Sequence, residues 1–220
     1  MISKIVVGIL LFAGFPFLGW GVTDVPGYLS DPFRMAYTIA VVILQIVIVM
    51  VDPEIGRQGS AGKITVGRQK LAILFLQILT LGMMIFPSFS DHRDIGVFPD
   101  LPLLRLIGLG IFITGFILMN WAEITLGKYF SIQVTVQEGH RLMTNGLYRR
   151  IRNPRYAGII LYNIGVVLIF RSWIALLCII LLVAVLIWRI RDEEVLMQKE
   201  FGEKWDAYQS RTKRLVPFVY

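Results

Sequence analysis

Six long runs of apolar residues constrain the fold of this 220-residue chain more than any other feature. They cover residues 5–22, 36–51, 71–89, 102–121, 156–170 and 173–188. A helix that crosses a bilayer needs roughly 20 predominantly apolar residues, so these runs predict transmembrane helices. Some runs are shorter, so flanking residues must contribute or the helices must pack as a thin bundle. We predict six transmembrane helices, or five if the last two form a tight hairpin that does not fully cross.

The overall composition argues against a water-soluble fold. Hydrophobic residues make up 56% of the chain and charged residues 17%, whereas soluble domains average about 45–50% and about 25%. Cys178 is the only cysteine, which excludes an internal disulfide and any multi-cysteine metal site. We therefore predict no metal. Five glycines of the N-terminal half are interpreted as close-packing positions between helices, namely Gly8, Gly14, Gly108, Gly110 and Gly115.

The distribution of basic residues predicts the orientation in the membrane. Lys4, two alternate loops and the stretch after the last run together hold 18 of the 22 Lys and Arg residues. Basic residues collect on the cytoplasmic side, so both termini should be cytoplasmic. The net charge of +7 then requires no nucleic-acid partner, because a basic cytoplasmic face suits anionic membrane lipids.

The region after the fourth run is where chemistry is expected. Residues 121–156 are too polar to span a membrane, yet too aromatic for a disordered connector, so they should fold against the membrane face. On a helix continuing from the last run, Arg189 and Glu193 share one side and can address one pocket together. An ordinary ion pair at a helix end is the alternative. Beyond them, an interfacial helix is predicted by Phe201, Trp205 and Tyr208.

A longer motif favours a functional pocket over an ordinary ion pair at this helix end. Residues 146–158 read G-x-Y-x-x-x-R-N-P-x-Y-x-G, and a hydrophobic hairpin and Glu193-Glu194 follow. The pattern resembles the RHPxYxG, hydrophobic stretch, EE signature of the isoprenylcysteine carboxyl methyltransferase and phospholipid methyltransferase families, and the resemblance covers residues 121–220. Asn153 stands where the signature has His. Asparagine can hydrogen-bond but does not titrate near neutral pH, so a role in holding a cofactor survives while one in proton transfer does not.

The resemblance implies an all-α integral membrane fold of about five to six transmembrane helices, with a cytoplasmic cofactor pocket formed by the C-terminal third. The cofactor is S-adenosylmethionine, bound without a Rossmann fold, and the chain lacks a GxGxxG unit. The implied catalytic residues are Arg189, facing the methyl acceptor as a substrate contact, and Glu193. The implied cofactor contacts are Gln133, His140, Arg141, Leu142, Met143, Tyr148, Arg152, Asn153, Pro154, Arg155, Tyr156, Glu193 and Glu194.

The implied function is methyl transfer to a lipid-like or prenylated acceptor, of the prenylcysteine carboxylate O-methylation type. Residues 1–121 are then transmembrane helices that form a scaffold with a lipid-substrate cavity. Residues 122–220 bind the cofactor and include a helical hairpin at 156–190 and the C-terminal interfacial helix. Two alternatives stay open: an NADPH-dependent membrane reductase of the steroid or isoprenoid type, and a non-enzymatic membrane transport subunit. Nicotinamide binding would indicate the reductase, and tolerance of Arg189 or Glu193 replacement the transport subunit.

Overall fold

A computed structural model of the chain describes residues 1–55, 69–130 and 142–215. Within these ranges the chain is helical, and β-pairing is limited to two isolated bridges, Val97 with Ser172 and Ile151 with Lys213. The α-helices are α1 (Ile2–Ile9), α2 (Phe15–Trp20), α3 (Val25–Ser30), α4 (Pro32–Val51), α5 (Gln69–Arg93), α6 (Pro102–Leu126), α7 (Pro154–Ile169), α8 (Trp173–Phe201) and α9 (Glu203–Arg211). A π-helical turn, Leu10–Gly14, joins α1 to α2, and 3-10 turns cover Gly127–Tyr129 and Gly146–Arg149.

Each of the six apolar runs forms a helix, as predicted. In the described part of the chain, five helical stretches are long and apolar enough to cross a membrane: Ile2–Trp20, Pro32–Val51, Leu71–Arg93, Pro102–Leu126 and Trp173–Phe201. The sixth, α7, has only 16 residues. Its last carbonyl, that of Ile169, still reaches the first turn of α6, where Arg105 Nε donates to it at 2.9 Å. The short helix therefore extends to the same end of the bundle as its longer neighbours.

Buried ion pairs hold that end of the bundle together. Arg105, 2% exposed, contacts both carboxylate oxygens of Asp31 at 2.8 Å, and Asp91 binds Arg34 at 2.8 Å and Arg171 at 2.7 Å. We call this end, defined by these five residues, the ion-pair face. Burial alone would raise the pKa of the Asp31 carboxyl, but the Arg34 backbone amide and the Arg105 guanidinium outweigh it and hold that pKa below 3.8. The opposite end, where α4 and α6 finish and α7 begins, is called the site face.

Glycines bring α6 and α7 into backbone contact. A Cβ on Gly158 would lie 2.4 Å from the Met119 amide nitrogen, and Gly115, Gly108 and Gly165 are equally close to backbone or side-chain atoms of the facing helix. The interpretation of Gly108 and Gly115 as close-packing positions is confirmed. That of two other glycines is wrong: within the described residues, a Cβ on Gly110 would meet nothing within 4 Å, and one on Gly14 would meet only Leu10 of its own helix.

The first transmembrane stretch is broken in its middle because of Pro16. Proline has no backbone N–H, so the carbonyl of Phe12, four residues earlier, loses its usual helical donor. The hydroxyl of Tyr37 in α4 donates to that carbonyl instead. Phe12 belongs to the π-helical turn Leu10–Gly14, so the Tyr37 hydroxyl ties this turn to α4.

Candidate functional site

The signature residues Asn153 and Pro154 form the junction at which α7 begins. Pro154 is the first residue of the helix, a position where its missing N–H leaves no helical bond unmade. The backbone nitrogen and the side-chain Nδ2 of Asn153 both donate to the carbonyl of Arg214, at 3.0 Å and 3.1 Å. Asn153, at the position where the signature has His, therefore ties the start of α7 to the C-terminal segment.

A second junction is built around Glu194, which is 8% exposed. Its Oε1 accepts from Arg152 Nε at 3.0 Å, and its Oε2 accepts from Arg214 at 2.8 Å. Arg152 also donates to the Thr212 carbonyl at 2.6 Å. Glu194 therefore uses both carboxylate oxygens to join α8 to Arg152, just before α7, and to Arg214, just after α9.

Arg189, Glu193 and Tyr156 form a compact polar cluster at the site face. Arg189 Nε donates to Glu193 Oε1 at 3.0 Å and to the Tyr156 hydroxyl at 2.7 Å, and that hydroxyl donates to the same Glu193 oxygen at 2.5 Å. The predicted pairing of Arg189 and Glu193 on one side of α8 is confirmed. Within the described residues, Glu193 Oε2 accepts no hydrogen bond, so the cluster presents one carboxylate oxygen that none of these residues uses.

A large cavity opens inside the bundle and reaches this cluster. Its volume is about 780 Å³, and helices of both halves of the chain line it, from Ser3 in α1 to Leu186 in α8. Most of its wall is apolar, and Arg189 and Tyr156 lie at its polar end. Ligand sites typically measure about 300–1,000 Å³, so the cavity has room for a lipid-sized chain. Arg189, 4% exposed, is positioned to meet an anionic group at the end of that chain.

Two other predicted cofactor contacts also lie near this end. Arg155 Nε binds Glu123 Oε2 at 3.3 Å, and its guanidinium lies 4.8 Å from the Phe130 ring centroid. The buried Tyr148 hydroxyl donates to the Ala122 carbonyl at 3.3 Å, and burial raises the pKa of Tyr148 well above its usual value. Arg155 therefore connects the start of α7 to the end of α6, and Tyr148 connects the turn before α7 to the same place.

The remaining predicted contacts lie in or beside a part of the chain without described geometry. Gln133, His140 and Arg141 fall outside the described residues. Leu142 and Met143 are described and half-buried, just before the 3-10 turn that carries Tyr148. The roles of all these residues stay predictions.

Two features of the site were missed by sequence reasoning. The bridging position of the Tyr156 hydroxyl depends on how α7 crosses α8, which one sequence does not reveal. Gly158, the last residue of the motif, packs against the backbone of α6. The seven-residue spacing of Gly158 and Gly165, matched by that of Gly108 and Gly115, was a signal in the sequence that could have identified this contact.

Comparison with known proteins finds similarity to one methyltransferase family. Residues 106–199 match the model of the isoprenylcysteine carboxyl methyltransferase (ICMT) family. Protein-S-isoprenylcysteine O-methyltransferase B of Arabidopsis thaliana is 31% identical over 144 residues, which cover 62% of this chain and 66% of that protein. The human protein-S-isoprenylcysteine O-methyltransferase is 28% identical over 123 residues, covering 53% of this chain and 42% of the human protein.

A solved structure gives the same result for the fold. The eukaryotic intramembrane Ras methyltransferase ICMT superposes with a TM-score of 0.54 at 21% identity, covering 94% of this chain and 74% of that one. The prediction of an all-α integral membrane protein is confirmed. The predicted enzyme class, a methyltransferase, is confirmed by the family and its relatives. Over residues 106–199 the chain is similar to the isoprenylcysteine carboxyl methyltransferase family, and it shares the fold of an intramembrane member of that family.

Proposed function

We propose that this chain transfers a methyl group from S-adenosylmethionine to the carboxylate of a prenylated or similarly lipid-linked acceptor at the cytoplasmic membrane face. The observation that carries the proposal is a buried arginine at the polar end of a membrane-embedded apolar cavity. An arginine at such depth is costly without a partner, and Tyr156 and Glu193 hold its Nε in place. An acceptor with an anionic head and an apolar tail matches both ends of the cavity.

Arg189, Tyr156 and Glu193 have different roles in this reaction. Arg189 attracts and orients the acceptor carboxylate, and Tyr156 fixes the guanidinium so that it does not swing toward Glu193 alone. Glu193 keeps Oε1 on Arg189 and Tyr156 and offers Oε2 to a cationic group, which suits the ammonium of S-adenosylmethionine. The aromatic faces of Tyr148 and Tyr156 suit its sulfonium and adenine.

Alignment of the two reactants is then the main task of the protein. S-adenosylmethionine, when bound, supplies a methyl group activated by the adjacent sulfonium. Holding an acceptor oxygen in line with such a carbon can be worth roughly 7–11 kcal/mol. An ionised carboxylate needs no proton removed before it attacks, so Asn153, which cannot titrate near neutral pH, is compatible with this reaction. We assign Asn153 to positioning, through its bonds to Arg214.

The organisation of the chain follows from the same proposal. Residues 1–121 supply most of the cavity wall, and residues 122–220 supply the cluster and the cofactor contacts, including His140, Arg152 and Glu194. The described basic residues Arg149, Arg150, Arg152 and Arg155 lie at the site face, at or just before the start of α7, so the positive-inside rule orients that face toward the cytoplasm. S-adenosylmethionine would then enter from the cytoplasm, and the lipid tail of the acceptor from the membrane.

Binding and turnover measurements on detergent-purified protein test the proposal. Calorimetric titration with S-adenosylhomocysteine should give binding by the parent and at least tenfold weaker binding by Glu193→Gln. Glu200→Gln, which alters an exposed glutamate of the same helix, serves as the matched control. Transfer of labelled methyl to N-acetyl-S-farnesylcysteine should be lost in Arg189→Met and retained in Arg191→Met.

Two outcomes would contradict the proposal. Binding of NADPH in place of S-adenosylhomocysteine would favour the reductase alternative. Failure of folded protein to bind either ligand, together with unaltered behaviour of the Arg189 and Glu193 variants, would favour a transport role.

A further inference from the structure

Three uncharged amide side chains line the cavity on the membrane side of Arg189. They are Gln45 of α4, Gln77 of α5 and Asn120 of α6. Each comes from a different helix, so no single amphipathic stripe accounts for them. We call these three residues the amide layer.

The depth of the amide layer in the bundle can be measured from the ion-pair face. Gln45 lies 14 residues from Asp31, Gln77 lies 14 residues from Asp91, and both aspartates belong to the ion-pair face. With a rise of 1.5 Å per residue, both glutamines lie about 21 Å from that face. Asn120 lies 15 residues from Arg105, which gives about 23 Å. The three amides therefore share one depth in the bundle.

Arg189 lies farther along the same axis. It is 17 residues from Ser172, the N-cap of α8, which corresponds to about 26 Å, and the Ser172 hydroxyl lies 3.0 Å from that of Ser90, the neighbour of Asp91. The amide layer is thus up to one helical turn, roughly 5 Å, closer to the membrane centre than the Arg189 backbone. A molecule whose carboxylate meets Arg189 passes the amide layer with the atoms that follow its carboxylate.

Among the residues that the structure describes, the amides of this layer make no hydrogen bond to another helix. Polar side chains inside membrane bundles ordinarily hydrogen-bond to a neighbouring helix. Gln45 is 8% exposed, yet in the described part of the chain neither it nor Gln77 makes a side-chain hydrogen bond, and the Asn120 amide nitrogen bonds only to the Phe116 carbonyl of its own helix. Gly8 leaves the space for the Gln45 amide, since a Cβ there would lie 2.2 Å from its Oε1.

We propose that the amide layer is a specificity site that hydrogen-bonds an uncharged polar group of the acceptor, such as an amide, a few bonds from the methylated carboxylate. This inference rests on the proposed function, because Arg189 sets where the carboxylate lies. A wholly hydrocarbon chain at this depth would cover Gln45, Gln77 and Asn120 without giving them hydrogen bonds. Because its amides would then be buried without hydrogen bonds, such a site discriminates against a ligand that lacks the polar group.

Two ligands that differ only at this group provide the test. N-acetyl-S-farnesylcysteine and 3-(farnesylthio)propanoic acid share the carboxylate, the thioether and the farnesyl chain, and only the first carries an acetamido group. Dissociation constants of both are measured by calorimetry on the detergent-purified full chain with S-adenosylhomocysteine present. The parent should bind the acetamido ligand roughly threefold to tenfold more tightly, which is the discrimination that one net hydrogen bond provides.

Variants connect the preference to the amide layer. Gln45→Met keeps the length and flexibility of the side chain without its amide, and Asn120→Leu is a second variant in case the first does not fold. Either should bring the ratio of the two dissociation constants close to one. Thr114→Val, which alters an exposed polar residue of α6 that does not line the cavity, should leave the ratio unchanged.

The outcomes separate this inference from the proposed function. Equal binding of the two ligands by the parent, or a preference that survives both Gln45→Met and Asn120→Leu, would overturn the specificity site even if both ligands are methylated. A preference that disappears in the variants would support the site even if neither ligand is methylated, in which case the proposed reaction is wrong. Failure of the folded parent to bind either ligand would refute both.

Discussion

Replacement of Tyr156 by phenylalanine tests how Arg189 is positioned. The change removes a hydroxyl that accepts from Arg189 Nε at 2.7 Å and donates to Glu193 Oε1 at 2.5 Å. A hydrogen bond to a charged group contributes about 1.5–3 kcal/mol. The ion pair between Arg189 and Glu193 at 3.0 Å remains, so only part of this energy should be lost from the transition state. We expect a loss of roughly 1.4–2.8 kcal/mol, which is a tenfold to hundredfold decrease in kcat/KM.

Initial rates of labelled methyl transfer to N-acetyl-S-farnesylcysteine measure this effect. Tyr156 belongs to a buried apolar cluster with Leu182, Leu186 and Ile190, and phenylalanine preserves the ring in this cluster, so the thermal midpoint should change little. Tyr162→Phe is a matched control, because Tyr162 also belongs to α7 and lines the cavity. A Tyr156→Phe enzyme whose kcat/KM stays within twofold of the parent, at equal stability, would show that the hydroxyl does not position the arginine.

Three further predictions concern the stability of the bundle, measured as thermal unfolding in detergent. Gly158→Ala should destabilise by about 1–3 kcal/mol because its methyl group would overlap the α6 backbone, and an unchanged midpoint, with Gly110→Ala as the control, would contradict this packing. The Asp31 carboxylate, whose pKa is lowered below 3.8 beside Arg105, should stabilise the fold fully above that pH and progressively less as the pH falls through its lowered pKa. The stability difference between the parent and Asp31→Asn should therefore shrink in acid, and a constant difference would refute the linkage. Tyr37→Phe should cost about 1–3 kcal/mol, since it leaves a carbonyl of the broken first helix without a donor inside the membrane, and unchanged stability would mean that another group satisfies that carbonyl.

The positions of the helices could be predicted from sequence because they depend on local composition. An apolar run long enough to cross a bilayer has to become a helix, since no water is present to bond its backbone. The ends were less accessible. Helix α8 was expected to continue past the apolar run, but its end at Phe201 depends on polar last turns that pack against the C-terminal segment. The sequence around Arg105 likewise does not reveal its partner Asp31, 74 residues away.

Prediction of the site depended on whether its contacts were local. Arg189 and Glu193 are four residues apart on one helix, so their pairing follows from helical geometry. The partners of Glu194 are Arg152 and Arg214, and nothing in the local sequence links three residues spread over more than sixty positions. The cavity was equally hidden, because helices distant in sequence supply its walls. The family motif nevertheless indicated the region in which these side chains gather, since it carries information from many sequences.

The backbone contact between α6 and α7 limits how this enzyme could be re-engineered. The boundary between the predicted N-terminal and C-terminal regions, at residue 121, falls within α6. Gly115 and Gly158, one from each region, meet with no side chain between them. A chimaera joined at that boundary would combine α7 from one parent with most of α6 from another and would have to recreate a fit that tolerates no added carbon atom. A junction before Pro102, which keeps the two helices from one parent, is the better place to exchange modules.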